Sequence, residues 1–327
     1  MKAKKIISLV LSVLLTLGVT LAFTSCNSGK YTVGIVQLVK HDALDAATKG
    51  FRDALVAELG EENVTFEEQD AANSPDTCAT IVSTFVTKNV DLIMANATPA
   101  LQAAQNATVS IPILGTSITE YGVALGLENF TGTVGGNVSG TSDLAPLDQQ
   151  AQMILDFYPD VKNVGLFYCS AEPNSAYQVA KVKEYLEGKG VTCTEYKFAD
   201  GNDVSLVAQN AADNSEVLYI PTDNTAASYA QTIHAAIADK NIPVFAGEEN
   251  ICKACGVATL SIDYYDLGYA TGLMAAKILK GEAKIEDMAI EYTPADKLKK
   301  KFNKTMCDAL GIDTEALVAQ GYTAIEE

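Results

Sequence analysis

Six short segments concentrate side chains able to hold a small polar molecule: Gln37 to His41, Asn96 to Pro99, Thr116 to Thr119, Ser170 to Ser175, Thr222 to Thr225 and Gly247 to Asn250. They offer hydroxyls, amides and isolated carboxylates, which is what the two ends of a zwitterion require. Thr98 and Ser117 can cap helices while donating to a carboxylate, and Asp223 and Glu248 can pair with an ammonium group. Gln37, His41, Thr116, Asn174 and Thr225 complete the candidate ligand contacts from these segments. Several have an ordinary structural reading as well. Thr98 before Pro99 fits a helix N-cap, Asp223-Asn224-Thr225 is cap chemistry, and Glu248 beside Glu249 fits a solvated carboxylate.

The sequence carries none of the common catalytic patterns. The chain has no Gly-x-Ser-x-Gly elbow, no phosphate loop and no His-Glu-x-x-His helix, and its histidines are His41 and His234. A carboxylate pair brought together in space would leave a cleft enzyme open as an alternative. Cys252 and Cys255 form one Cys-x-x-Cys pair, but no second pair or histidine cluster completes a tetrahedral metal site, so neither cofactor nor metal is expected. The formal charge of −18 argues against nucleic acid, which demands clustered Lys and Arg.

The polar segments must be positioned by something, and from Tyr31 onward short β-branched runs alternate with amphipathic stretches. That pattern predicts parallel sheets covered by helices. Strands are expected at Tyr31 to Val36, Val64 to Glu68, Val90 to Ala95 and Ile111 to Leu114, with helices at Leu44 to Leu59, Cys78 to Lys88 and Thr98 to Thr108. The order then recurs from Val161 to Phe245, and landmarks repeat at nearly constant separation: Val33-Gly34 as Val164-Gly165, Leu92 as Val217, Pro112 as Pro243. Two doubly wound parallel-sheet lobes joined by a multi-strand hinge follow. Each polar segment then lies beyond the C-terminal end of a strand, where such sheets bind ligands. The expected lobes are 31–145 plus 249–283, and 146–248 plus 284–327, with crossings near Asp143 to Asp148, Ala246 to Asn250 and Gly281 to Glu286. A last helix is expected from Lys297 to Leu310, with Lys297 to Lys301 on its solvated face.

The N-terminus indicates export. Lys2, Lys4 and Lys5 precede an uncharged apolar run from Ile6 to Phe23, then Thr24-Ser25 and Cys26. Residues 1–25 therefore read as a signal peptide. Cys26 resembles the lipidated cysteine of a bacterial lipobox, making 26–30 a tether and the membrane a partner through a lipid anchor.

The segments Gly34-Ile-Val-Gln-Leu-Val-Lys-His-Asp-Ala-Leu-Asp-Ala-Ala47, Ala97-Thr-Pro-Ala100, Gly135-Gly-Asn-Val-Ser-Gly-Thr-Ser-Asp143, Pro221-Thr-Asp-Asn-Thr225 and Gly256-Val-Ala-Thr-Leu-Ser-Ile-Asp-Tyr-Tyr-Asp-Leu-Gly268 together resemble one family. It is the ABC transporter substrate-binding family of the type I periplasmic-binding-protein fold, in the branch labelled tryptophan/tyrosine-binding. The resemblance adds Ser142 to the candidate contacts. It implies a monomeric, extracytoplasmic binder of a small solute, an aromatic amino acid in this branch, that serves an ABC permease and its ATPase by lobe closure. A solute-sensing receptor without transport is the other non-enzymatic reading.

Overall fold

The computed structural model describes residues 31–326; the expectations for the signal segment and Cys26 lie outside them. The first half supplies strands β1 (Tyr31–Gln37), β2 (Val64–Asp70), β3 (Leu92–Asn96), β4 (Ile113–Ile118) and β5 (Val138–Ser142). Between them run helices α1 (Asp42–Leu59), α2 (Pro75–Lys88), α3 (Thr98–Ala107) and α4 (Tyr121–Leu125). β1 is buried from Val33 onward on both faces, as its unbroken apolar run requires of a central parallel strand.

The second half repeats the plan with α5 (Leu147–Phe157), β6 (Asn163–Cys169), α6 (Pro173–Gly188), β7 (Thr192–Phe198), α7 (Val204–Asp213) and β8 (Val217–Ile220). It continues through α8 (Asn224–Ser228), α9 (Ala230–Ile237), β9 (Val244–Ala246), α10 (Glu249–Cys255) and β10 (Ala258–Ser261). The remaining elements are α11 (Tyr264–Leu279), β11 (Glu291–Tyr292), β12 (Lys299–Phe302), α12 (Lys304–Ala309), α13 (Thr314–Ala319) and β13 (Thr323–Ala324). One sheet runs β11-β5-β4-β3-β1-β2 and the other β13-β12-β10-β9-β8-β6-β7. Each core is the same 2-1-3-4-5 winding, and the landmark pairs of the sequence fall in equivalent strands: Val33 in β1 and Val164 in β6, Leu92 in β3 and Val217 in β8.

The returning segments depart from expectation. β10 pairs with β9, so residues through Ser261 complete the second sheet, and the chain crosses back only at Ile262-Asp263. α11 then packs on α1 in the first lobe, and β11 pairs with β5, which moves the third crossing to residues 293–298. The lobe boundaries at 249 and 283–284 are corrected accordingly. Lys299 to Phe302, expected as helix, is a strand lying antiparallel to β10. The exposed flank of β10 needs hydrogen-bond partners, and this run supplies them while keeping Lys299 and Lys300 in solvent. Asn303 then caps α12 by accepting from the Met306 amide.

Cys78, Cys169, Cys193, Cys252, Cys255 and Cys307 are all free and buried. Burial pushes the Cys255 thiol up to about 12, away from the range in which a thiolate forms. No cluster of three or more metal-ligating side chains occurs among the described residues, and no described helix is long and apolar enough to cross a membrane.

Candidate functional site

A tight polar cavity, with only about 10 Å³ of free space, lies at the seam between the lobes, at the C-terminal ends of both sheets. The first lobe contributes His41, Ala43 and Leu44 from the start of α1, with Ser117 and Thr119 from the end of β4. The second contributes Asn174 from the first turn of α6, Thr222 to Asn224 and Ala227 around the start of α8, and Glu248 before α10. Asp143 and Tyr264, at the first and second crossings, close it on the hinge side.

Local structure explains why these side chains point there. β4 loses register with β5 between Gly115 and Ile118, and Ser117 sits at φ 55°, a left-handed conformation rare for a residue with a Cβ. Asp143 is tethered by its amide to the Ile118 carbonyl at 3.1 Å, while the Ser142 hydroxyl donates to the Thr119 carbonyl at 2.9 Å. These bonds fix the crossing beside the end of β4. In the other lobe, Asp223 caps α8 by accepting from Ala226 N, and Glu248 caps α10 by accepting from Asn250 N and Ile251 N.

Five buried polar atoms on this wall have no protein partner: both ring nitrogens of His41, Ser117 Oγ, Asp143 Oδ1 and Asn174 Oδ1. Unpaired buried polar atoms cost about 1–3 kcal/mol each, so five facing one cavity are a strong indication of a solute site. Acidic groups dominate it. Burial raises Asp143 to about 6 against the pull of the Tyr264 and Thr119 hydroxyls, and Glu248 to about 7 against its two capped amides. Asp223 is also pushed up, by burial and by Glu172 behind it. Burial holds His41 below the ordinary histidine value despite Asn224 and the nearby carboxylates. Among the described residues, no Lys or Arg lines the cavity.

Of the candidate residues named from the sequence, His41, Ser117, Asn174, Asp223 and Glu248 meet here. The other five are placed elsewhere. Gln37 is buried between β1 and α1, donating to Asp45 Oδ1 and accepting from Thr48. Thr116 pairs with the Thr141 hydroxyl inside the first sheet, and Ser142 shapes the crossing as described. Thr98 is buried in the first turn of α3, whose N-cap is Ala97 without a side-chain cap bond, which corrects the capping role. Thr225 donates to Glu172 Oε1 at 2.8 Å and accepts from Asn73 of the other lobe at 3.2 Å. Thr119, Asp143, Thr222 and Asn224 were not singled out as individual contacts from the sequence. The available signal for Asp143 was its place at the end of a motif that is also a lobe crossing.

A profile of the ABC transporter substrate binding protein family matches residues 32–323, nearly all of the described chain. The chain belongs to that family. Such a protein works on the extracytoplasmic side with a small-molecule ligand and transporter partners, and is not an enzyme. A curated relative, the "Tyrosine-binding protein" of Clostridioides difficile (strain R20291), is 34% identical over 300 residues, covering 86% of each sequence. Among solved structures, an ABC domain in complex with L-Trp from Streptococcus pneumonia superposes with a TM-score of 0.85 at 30% identity, covering 91% of this chain and 100% of that one. A ligand-free, open substrate binding protein from Clostridium difficile gives 0.69 at 35% identity, covering 90% and 99%.

Proposed function

We propose that this family member is the lipid-anchored solute receptor of an ABC importer, that it takes an aromatic amino acid of the tyrosine or tryptophan class, and that its lobes close over the solute. The observation that carries the reading is the set of unpartnered buried polar atoms contributed by both lobes and the hinge to one cavity. The higher similarity to the L-Trp complex than to the open, ligand-free relative, despite lower identity, supports a closed arrangement. So do the contacts of α4 with α6 and of α1 with α10, which join the lobes on either side of the seam. Ser117 Oγ and the unpaired amides at the start of α1 suit a carboxylate, because a helix N-terminus presents free N–H groups and partial positive charge. The acidic wall suits an amine. Cys26 supplies the anchor in this reading.

The chain contains no Trp, so indole emission from added L-Trp reports binding directly. Titration of the exported form with L-Trp and L-Tyr is expected to give a Kd of about 1 μM or tighter, with a smaller radius of gyration in scattering when the solute is present. Silence toward all amino acids would overturn the reading.

Binding should also depend on pH. A closed cleft without a cation retains protons on Asp143 and Glu248, whose values near 6 and 7 lie above those of the hydrated groups; Asp223 adds to this in the same direction. The closed form therefore binds more protons than the open one, so raising the pH through 6–7 disfavours empty closure and favours an ammonium in the protons' place. Glu172, His41 and Tyr264 also face this region, and Asp42 and Glu249 act on Glu248 from outside. Affinity for an amino acid is expected to be about 10-fold weaker at pH 5.5 than at pH 8, an effect of about one pKa unit. Calorimetry near pH 6 in buffers of differing ionisation heat should show protons released on binding; proton uptake would contradict the assignment.

A further inference from the structure

Three carboxyl groups line the cavity, with Glu172 behind Asp223, and the hydrogen bonds separate the four. Asp223 spends one oxygen on Ala226 N and the other on Cys169 N, both at 2.7 Å. Glu248 holds Ile251 N at 2.5 Å and Asn250 N at 2.7 Å. Glu172 accepts from the amides and side chains of Asn224 and Thr225 and from Asn174 Nδ2. Asp143 differs: Oδ2 accepts from the Tyr264 hydroxyl at 2.9 Å, while Oδ1 is buried, lines the cavity and has no protein partner.

Asn174 supplies a second acceptor whose orientation is determined by its neighbours. Its Nδ2 lies 3.1 Å from Glu172 Oε2 and 3.3 Å from the Thr222 carbonyl, both of which can only accept. Turning the amide over would set its oxygen against two acceptors, so Oδ1 must be the atom left without a protein partner.

We propose that Asp143 Oδ1, with Asn174 Oδ1, seats the ammonium group of the solute, and that Asp223 and Glu248 serve as helix caps behind it. This rests on the reading of the cavity as the solute site, and it defines the ligand class: solutes carrying a free protonated amine, held between the hinge and the second lobe. Asp143 lies on the first crossing and its partner Tyr264 on the second, so an amine at this seat bears directly on the hinge. Tyr264 is a positioning residue that keeps Oδ2 occupied and Oδ1 turned toward the cavity.

The test compares L-Trp and L-Tyr with their des-amino analogues, indole-3-propionate and 3-(4-hydroxyphenyl)propionate, on wild type and on the variants Asp143→Asn, Asp223→Asn and Glu248→Gln. In wild type the amino acids are expected to bind at least ~30-fold tighter than the des-amino acids, the scale of a charge-assisted hydrogen bond in a desolvated site. In D143N that preference is expected to collapse through loss of amino-acid affinity while des-amino binding is kept, which also shows that the variant is folded. D223N and E248Q should weaken both ligand types alike and lower the melting temperature. An amine preference preserved in D143N, or lost selectively in D223N or E248Q, would overturn the assignment. Wild type that ignores amino acids but takes other amines in an Asp143-dependent way would refute the amino-acid reading and leave this seat standing. Wild type that takes only amine-free solutes would refute both.

Discussion

Gly268→Val is expected to lower the melting temperature by about 6 °C or more, on the basis of about 3 kcal/mol of overpacking in a chain of this size. Gly268 and Gly272 lie one turn apart on the face of α11 that meets α1. A Cβ on Gly268 would stand 1.9 Å from the Ala47 carbonyl oxygen, and one on Gly50 would stand 2.1 Å from that of Tyr265. On Gly272 it would meet the Phe51 carbonyl oxygen at 2.6 Å. Backbone cannot yield as a flexible side chain can, so the helices would have to separate. Because Tyr264 is the first residue of α11 and closes the cavity, solute affinity should fall with stability. Thermal unfolding followed by circular dichroism checks this, with Gly268→Ala as a milder member of the series. A shift of less than 1 °C for the valine variant would contradict the close-packing argument, for which such substitutions typically cost about 1–3 kcal/mol.

Glu172→Ala is expected to weaken amino-acid binding about 100-fold, which corresponds to about 2.7 kcal/mol. Glu172 is buried and takes Thr225 N and Oγ1 at 2.8 Å each on one oxygen, with Asn224 N, Asn224 Nδ2 and Asn174 Nδ2 on the other. Bonds to a charged group contribute about 1.5–3 kcal/mol each, and removing the acceptor leaves buried donors unpaired. The start of α8 and the Asn174 amide would then lose their common anchor. Thr225 also receives the Asn73 amide across the seam, so the contact between lobes would loosen as well. Titration of E172A with L-Trp, alongside E172Q with its single remaining acceptor oxygen, measures this. Wild-type affinity in E172A would show that the network is not needed to shape the site.

Much of the fold was legible because its signals are local. The apolar run of β1, the 3.6-residue periodicity of α1 and the recurrence of Val33-Gly34 as Val164-Gly165 each belong to one stretch of chain, and together they specify two parallel sheets. The seam followed from the same reasoning, since polar loops after parallel strands collect at one edge, and His41, Ser117, Asn174, Asp223 and Glu248 do line it.

Lobe membership of the returning segments was decided by tertiary pairing. β10 could complete either sheet on its composition, and Lys299 to Phe302 became a strand because the flank of β10 was open to it. The allocation of polar side chains was settled the same way. Gln37, Thr116 and Thr225 are as suitable for a ligand as Ser117, but Thr48, Thr141 and Glu172 come from distant or opposing segments to satisfy them. Asp143 presents the reverse case, an ordinary crossing residue left with one unpartnered carboxylate oxygen because the Tyr264 hydroxyl, more than a hundred residues away, is spent on the other. Residue type and period are written along the chain and determined the elements. Whether a hydrogen-bonding group is spent or available depends on which other segments fold against it, and only the assembled structure brings those together.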